Sequence, residues 1–173
     1  MRRRSILACM SAGLVALTVP AAVRFPVQVV YNPSDSVPRG WYRVEHEIDA
    51  DSLHVGSIVL ARLPADAAAL AAQRRYLPGS VPLLKRIGAV APQSVCIRGR
   101  IVRIDGAAVA TVLAQDGARR PLSAWTHCRP LADGEVFLLS STNPASFDSR
   151  YFGPIAASAV LGIARPMWTW NTP

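Results

Sequence analysis

A serine hydroxyl attacks a carbonyl only when a neighbouring group takes its proton, and either histidine or a neutral lysine can do so. The serines that stand out are Ser34 and Ser36, in Tyr31-Asn32-Pro33-Ser34-Asp35-Ser36-Val37-Pro38-Arg39-Gly40-Trp41-Tyr42. Two prolines and a glycine exclude a helix there, so the stretch is a shaped loop. An ordinary Ser/Pro-rich linker is the alternative. The candidate bases are few. His46 and His54 lie in a charged, surface-like segment, and His127 sits beside Cys128 in a loop. Lysine and arginine together number 19, and only Lys85 is lysine. It falls inside the apolar run Val81-Pro82-Leu83-Leu84-Lys85-Arg86-Ile87. Arginine keeps its proton in a protein, whereas a desolvated lysine has its pKa lowered toward neutrality and can act as a base. A lysine snorkelling from a strand edge is the competing explanation. A third reactive stretch, Ser146-Phe147-Asp148-Ser149-Arg150-Tyr151-Phe152-Gly153-Pro154, offers a carboxylate and a hydroxyl.

These residues need elements to position them. The 173 residues suit one domain, and the composition, 51% hydrophobic and 17% charged, excludes both a disordered and a wholly membrane-embedded chain. The formal charge is +8. Beyond Arg2, Arg3 and Arg4 the arginines are scattered, without the basic stripe of a nucleic-acid binder. Three scattered histidines and unpaired cysteine spacing give no metal site, and no cofactor is expected. Ser5 to Val23 carry no charge; as a helix they would span about 28 Å, enough to cross a bilayer. The arginines ahead of them place the N-terminus in the cytoplasm and everything after Arg24 outside. A cleaved signal peptide is the alternative, with small residues at Pro20-Ala21-Ala22. The expected division is therefore 1–24, cytoplasmic tip and anchor, and 25–173, external domain.

Alternation and turn residues predict strands over 27–31, 41–45, 56–63, 82–90, 94–98 and 135–140. Asp105-Gly106 predicts a tight hairpin joining 100–104 to 107–113. The run from Pro64-Ala65-Asp66 to about Tyr76 predicts the one helix, stopped by Pro78-Gly79. Residues 118–133 read as a loop, 141–154 as polar and turn-rich, and 155–164 as a return to the core. The fold is mainly β with one helix. Cys96 and Cys128 fall in the segment placed outside the cytoplasm, where disulfides persist, and are expected to pair, contributing roughly 3 to 4 kcal/mol; two buried free thiols are the alternative. Trp168 and Trp170 suit either a membrane interface or packing against the sheet.

Asn32-x-Ser34-x-Ser36-x-Pro38-x-Gly40-x-Tyr42, then Leu84-Lys85-Arg86, then Ser146-x-Asp148-Ser149-Arg150-Tyr151-Phe152-Gly153-Pro154 occur in the order found in type I signal peptidases. They most resemble the conjugative-transfer branch, the TraF-type pilin-processing peptidases. The likeness runs from the anchor to about residue 164. It implies a signal-peptidase-like antiparallel β domain behind a transmembrane helix, at the outer face of a Gram-negative inner membrane. It implies Ser36 as nucleophile and Lys85 as general base, with the Ser36 N–H and the Ser34 hydroxyl forming the oxyanion hole. Ser146 matches a residue that positions the lysine. Asp148 matches the acidic catalytic position, with Arg150 as its partner, and its role, direct or structural, stays open. The implied substrate is a pilin precursor or similar exported peptide, with type IV secretion components as further partners. Cyclisation of the product is a possible second activity of this branch. Two departures mark this chain. Val37 stands where the general enzymes have methionine, which favours a specialised substrate, and Ala91-Pro92-Gln93 replaces Pro-Gly-Asp after the lysine strand. A general signal peptidase and a catalytically silent assembly module of a secretion apparatus are the competing expectations.

Overall fold

A computed structural model describes residues 9–10, 13–14, 27–48, 52–140 and 142–170. The expected anchor and the boundary at residue 24 lie almost wholly outside these, and no helix among the described residues is long and apolar enough to cross a membrane.

The strands run β1 Val27–Asn32, β2 Arg39–Glu45, β3 Ile58–Ala61, β4 Leu83–Val90, β5 Ser94–Arg98, β6 Ile101–Ile104, β7 Ala107–Thr111, β8 Cys128–Pro130, β9 Glu135–Leu138, β10 Ile155–Ala156 and β11 Val160–Trp170. One nine-residue helix, α1, spans Ala65–Gln73, and a single turn, α2, spans Ser149–Phe152. Every pairing is antiparallel. Seven strands form one sheet in the order β1-β2-β11-β3-β4-β9-β10, and four form a second, β7-β6-β5-β8. Among the described residues from 27 onward, the mainly β expectation with one short helix holds.

Period-two alternation explains where the cores sit. In β2, Tyr42 and Val44 point inward and join Val37, Ile58, Leu60 and Ala164. In β4 the inward positions are Lys85, Ile87 and Ala89, so the lysine occupies a place in the series that an apolar side chain would otherwise fill. Ile87 packs with Val59, Val136, Leu138 and Ile163. Ala89 and Phe137 reach the other way, into the core under β5 and β6, and join the two sheets.

The Asp105-Gly106 turn has positive φ at both central residues, 50° and 84°, which closes the hairpin between β6 and β7. Cys96 and Cys128 are opposite one another on β5 and β8 and form a disulfide. Differences from the sequence expectations are local. The helix ends at Gln73, because Arg75 turns left-handed (φ 59°) well before Pro78. The presumed loop 118–133 contains β8, held beside β5 by the disulfide. The stretch 155–164 is not one element: a 3-10 turn at Ala157–Ala159 separates β10 from β11. β11 then continues to Trp170 along β2. Trp168 and Trp170 lie exposed on that strand, edge to face with each other, and Trp170 lies 6.1 Å from Tyr31.

Candidate active site

The loop between β1 and β2 owes its shape to Asn32, which is buried at the end of β1. The Asn32 amide donates to the carbonyls of Ser34 (2.9 Å), Val37 (3.1 Å) and Pro38 (3.1 Å). Its Oδ1 accepts from the Ser34 N–H (3.1 Å) and the Ser34 hydroxyl (2.9 Å). One side chain thus closes the turn, as asparagine before proline is apt to do. Tyr42 Oη donates to the Pro38 carbonyl at 2.6 Å, and Val37, 1% exposed, plugs the turn into the core. From across the fold, Ser140 Oγ donates to the Ser36 carbonyl (2.9 Å) and Thr142 Oγ1 to the Asp35 carbonyl (2.8 Å). The loop is held at both ends and in the middle.

Lys85 is 2% exposed on β4, between β3 and β9. Its Nζ donates to Ser36 Oγ and to Ser146 Oγ, and the two hydroxyl oxygens stand 3.3 Å apart. Residues 36, 85 and 146 therefore meet in one triangle of two hydroxyls and an amine. Burial, the dominant effect, lowers Lys85 from 10.5 to about 8; the Asp148 charge pulls it back up and the Arg150 charge pushes it down.

Asp148 and Arg150 form a buried ion pair beside the triangle, 0% and 1% exposed. Arg150 Nε donates to Asp148 Oδ1 and Nη2 to Oδ2, both at 2.8 Å. The carboxylate also accepts from the Ser140 N–H (3.0 Å) and, capping the single turn α2, from the Arg150 N–H (3.2 Å). The remaining guanidinium hydrogens go to the carbonyls of Thr111, Pro144, Asn143 and Ser146. The carbonyl of Ser146 is thereby held while its hydroxyl faces Lys85. Asp148 spends its hydrogen bonds on Arg150 and Ser140, and reaches Lys85 through its charge.

A cavity of about 290 Å³ opens beside Ser36 and Lys85, with apolar walls from Leu63, Leu77, Leu83, Leu122 and Phe147. Ser34 also lines it, its hydroxyl turned toward Asn32. Chemically, the arrangement joins a hydroxyl to a shielded amine at the edge of an apolar cleft. Ser34, Ser36, Lys85, Ser146, Asp148 and Arg150 fall in or against this site; His46, His54 and His127 lie exposed away from it, and the disulfide lies on the second sheet. The structure adds Asn32 and Ser140, to which sequence reasoning gave no role. Asn32 had a signal in its place before Pro33; Ser140 had only its position at the end of the apolar run Val136–Leu139. No group of metal-binding side chains occurs among the described residues.

A probable conjugal transfer protein TraF of Sinorhizobium fredii is 36% identical over 152 residues, covering 80% of this chain and 76% of its own. A conjugal transfer protein TraF of Agrobacterium tumefaciens is 31% identical over 184 residues, covering 99% of each. Among solved structures, a signal peptidase I of Enterococcus faecalis superposes with a TM-score of 0.39 at 19% identity, covering 64% of this chain and 94% of that one. The family model described as signal peptidase, peptidase S26, matches residues 2–170, and the chain belongs to that family.

Proposed function

We propose that the protein is a membrane-anchored serine endopeptidase that processes a conjugative pilin precursor or a similar exported peptide. The observation that carries this reading is the contact of Lys85 Nζ with Ser36 Oγ in a buried setting that keeps part of the amine neutral. Residues 1–24 then form the cytoplasmic tip and anchor, and 25–173 a periplasmic catalytic domain. The TraF relatives support the link to conjugation.

In this mechanism neutral Lys85 takes the proton of Ser36 Oγ as the oxygen bonds to the scissile carbonyl carbon. The oxyanion is met by the Ser36 N–H and by the Ser34 hydroxyl, which leaves Asn32 to reach it; losing one such donor typically costs about 100-fold or more. The ammonium then protonates the departing amine as the C–N bond breaks, leaving an acyl-enzyme and neutral Lys85. Water, deprotonated by Lys85, releases the acyl group, and the proton returns to Ser36. If an amine of the same peptide replaces water, the product is cyclic. Ser146 orients the amine between proton transfers. Asp148 and Arg150 are positioning residues that fix Ser146 and, through charge, bias the lysine.

The test is co-expression with a candidate pilin precursor, read by intact mass. Wild type should shorten the precursor and Ser36→Ala should leave it whole; a further loss of one water marks cyclisation. Equal processing by both would sink the reading. Turnover of many unrelated leaders would favour a general signal peptidase. Failure of a serine-directed acylating inhibitor to label Ser36 would favour a silent assembly module.

A further inference from the structure

One buried acid takes no part in the chemistry above. Asp116, in the connection between β7 and β8, has a side chain only 6% exposed and lines the cavity beside Ser36. Its Oδ2 accepts from the Tyr76 hydroxyl and from Arg120 Nε (2.7 Å), and its Oδ1 from the N–H groups of Ala118 and Arg120 (both 2.9 Å). Arg74 Nη1 stands 3.6 Å away. Two further bonds tie the same segments reciprocally: Arg74 Nη2 donates to the Pro121 carbonyl (2.8 Å), and Arg120 Nη2 to the Arg74 carbonyl (3.2 Å). The Arg120 guanidinium lies over the Tyr76 ring, 5.5 Å from its centroid. Burial alone would raise the carboxyl, but the bonds from Tyr76 and Arg120 outweigh it and hold Asp116 well below the usual carboxylate range.

The clasp joins the chain just after α1 to a loop some 40 residues away, and both segments are cavity wall. The Tyr76 ring continues the wall inward: its centroid lies 5.4 Å from that of Phe147, the neighbour of Ser146. A solvated loop would not shut a carboxylate in this way, and its partners hold two walls of the cleft at a fixed separation.

We propose that Asp116 and Tyr76 set the width of the cavity and so the size of the substrate side chain that Ser36 can accept at the acyl-donating position. Tyr76 is the wall, and Asp116 holds it. The inference rests on the protease reading, and deepens it by naming specificity-determining residues away from the reacting atoms.

The experiment uses the full-length protein and precursor peptides that differ only in carrying Ala, Leu or Phe at the acyl-donating position. Wild type should discriminate among the three. Tyr76→Leu, which shortens the wall but keeps it apolar, should raise the Phe-to-Ala ratio of kcat/KM tenfold or more. Asp116→Asn should raise the ratio severalfold, whereas Tyr76→Phe, which keeps the ring, should raise it less than Tyr76→Leu. Circular dichroism melts establish that each variant is folded; if Tyr76→Leu does not fold, the Asp116→Asn ratio decides. A wild-type enzyme that discriminates and a folded Tyr76→Leu, or in its absence Asp116→Asn, that discriminates equally would overturn the inference and leave the protease reading standing. A wild-type protein that cleaves none of the series overturns both.

Discussion

Replacing Ser146 by aspartate asks whether Lys85 works as a neutral amine. Burial holds Lys85 at about 8 rather than 10.5. At about pH 7.5 roughly a quarter of such lysines are neutral, against about one in a thousand at the ordinary value. The Ser146 hydroxyl already touches the ammonium, so a carboxylate there sits within the range where an opposite charge favours the protonated form by about 1–3 pK units. The midpoint of the rate should move from near 8 to roughly 9–11, and the rate at pH 7.5 should fall about 10- to 1,000-fold, recovering as the pH rises. Ser146→Ala removes the contact without adding charge and should leave the midpoint within about one unit. The assay is kcat/KM against pH for a cleaved precursor peptide, which reports the free enzyme's titrating base. An aspartate variant whose profile keeps the wild-type midpoint would show that Lys85 is not that base.

Four other outcomes follow from the same geometry. Because Lys85 binds its proton less tightly when folded, wild type should gain stability relative to Lys85→Met as pH rises from about 8 to about 10.5, by up to about 3 kcal/mol; denaturant midpoints across that window measure it. Arg150→Met should cost about 3–5 kcal/mol by stranding the buried Asp148 charge, and Asp148→Asn in the same chain should recover part of it, read by urea unfolding. Asn32→Leu frees three carbonyls of the serine loop and should cost about 1–3 kcal/mol while lowering kcat more than KM rises; unchanged kcat would mean the loop holds its shape without it. Replacing Cys96 and Cys128 by serine should lower stability by roughly 3–4 kcal/mol yet leave kcat of the folded fraction intact, since the disulfide lies on the sheet that carries neither Ser36 nor Lys85.

What was legible in the sequence was whatever local pattern dictates. Alternation placed Lys85 on a strand among Leu84, Ile87 and Ala89, and a lone lysine among arginines marked it as chemically distinct. Asp105-Gly106 announced its hairpin, and the order of the three motifs carried the rest of the site. Two things were not written locally. β8 is three residues ending in proline, too short for any period, and exists through its partner strand and the Cys96–Cys128 bond. The run 155–164 is apolar but for Ser158, and one serine does not announce that Ala157–Ala159 turns the chain from the edge of the sheet at β10 to its interior at β11. The contact that ties the serine loop to the chain just past β9 joins Ser36 to Ser140, 104 residues apart, and the one that ties the cavity wall joins Asp116 to Tyr76, 40 apart; spacing along a chain does not record such meetings. The hydroxyl of Ser34 shows a further limit, because its residue type marked it as an oxyanion donor while its orientation toward Asn32 could come only from three-dimensional geometry.

Arg150 fastens the catalytic segment by gripping main-chain oxygens at 111, 143, 144 and 146, together with a carboxylate two residues away. A carbonyl oxygen is the same whatever side chain follows it. The side chains facing the cleft at Ala145 and Phe147 can therefore change without loosening the main-chain clamp that keeps Ser146 on the lysine. In evolutionary terms, and on the proposed function, the frame of the site and the surface that would read a substrate are written in different parts of the same few residues: one in backbone atoms that mutation hardly alters, the other in side chains free to follow a changing peptide.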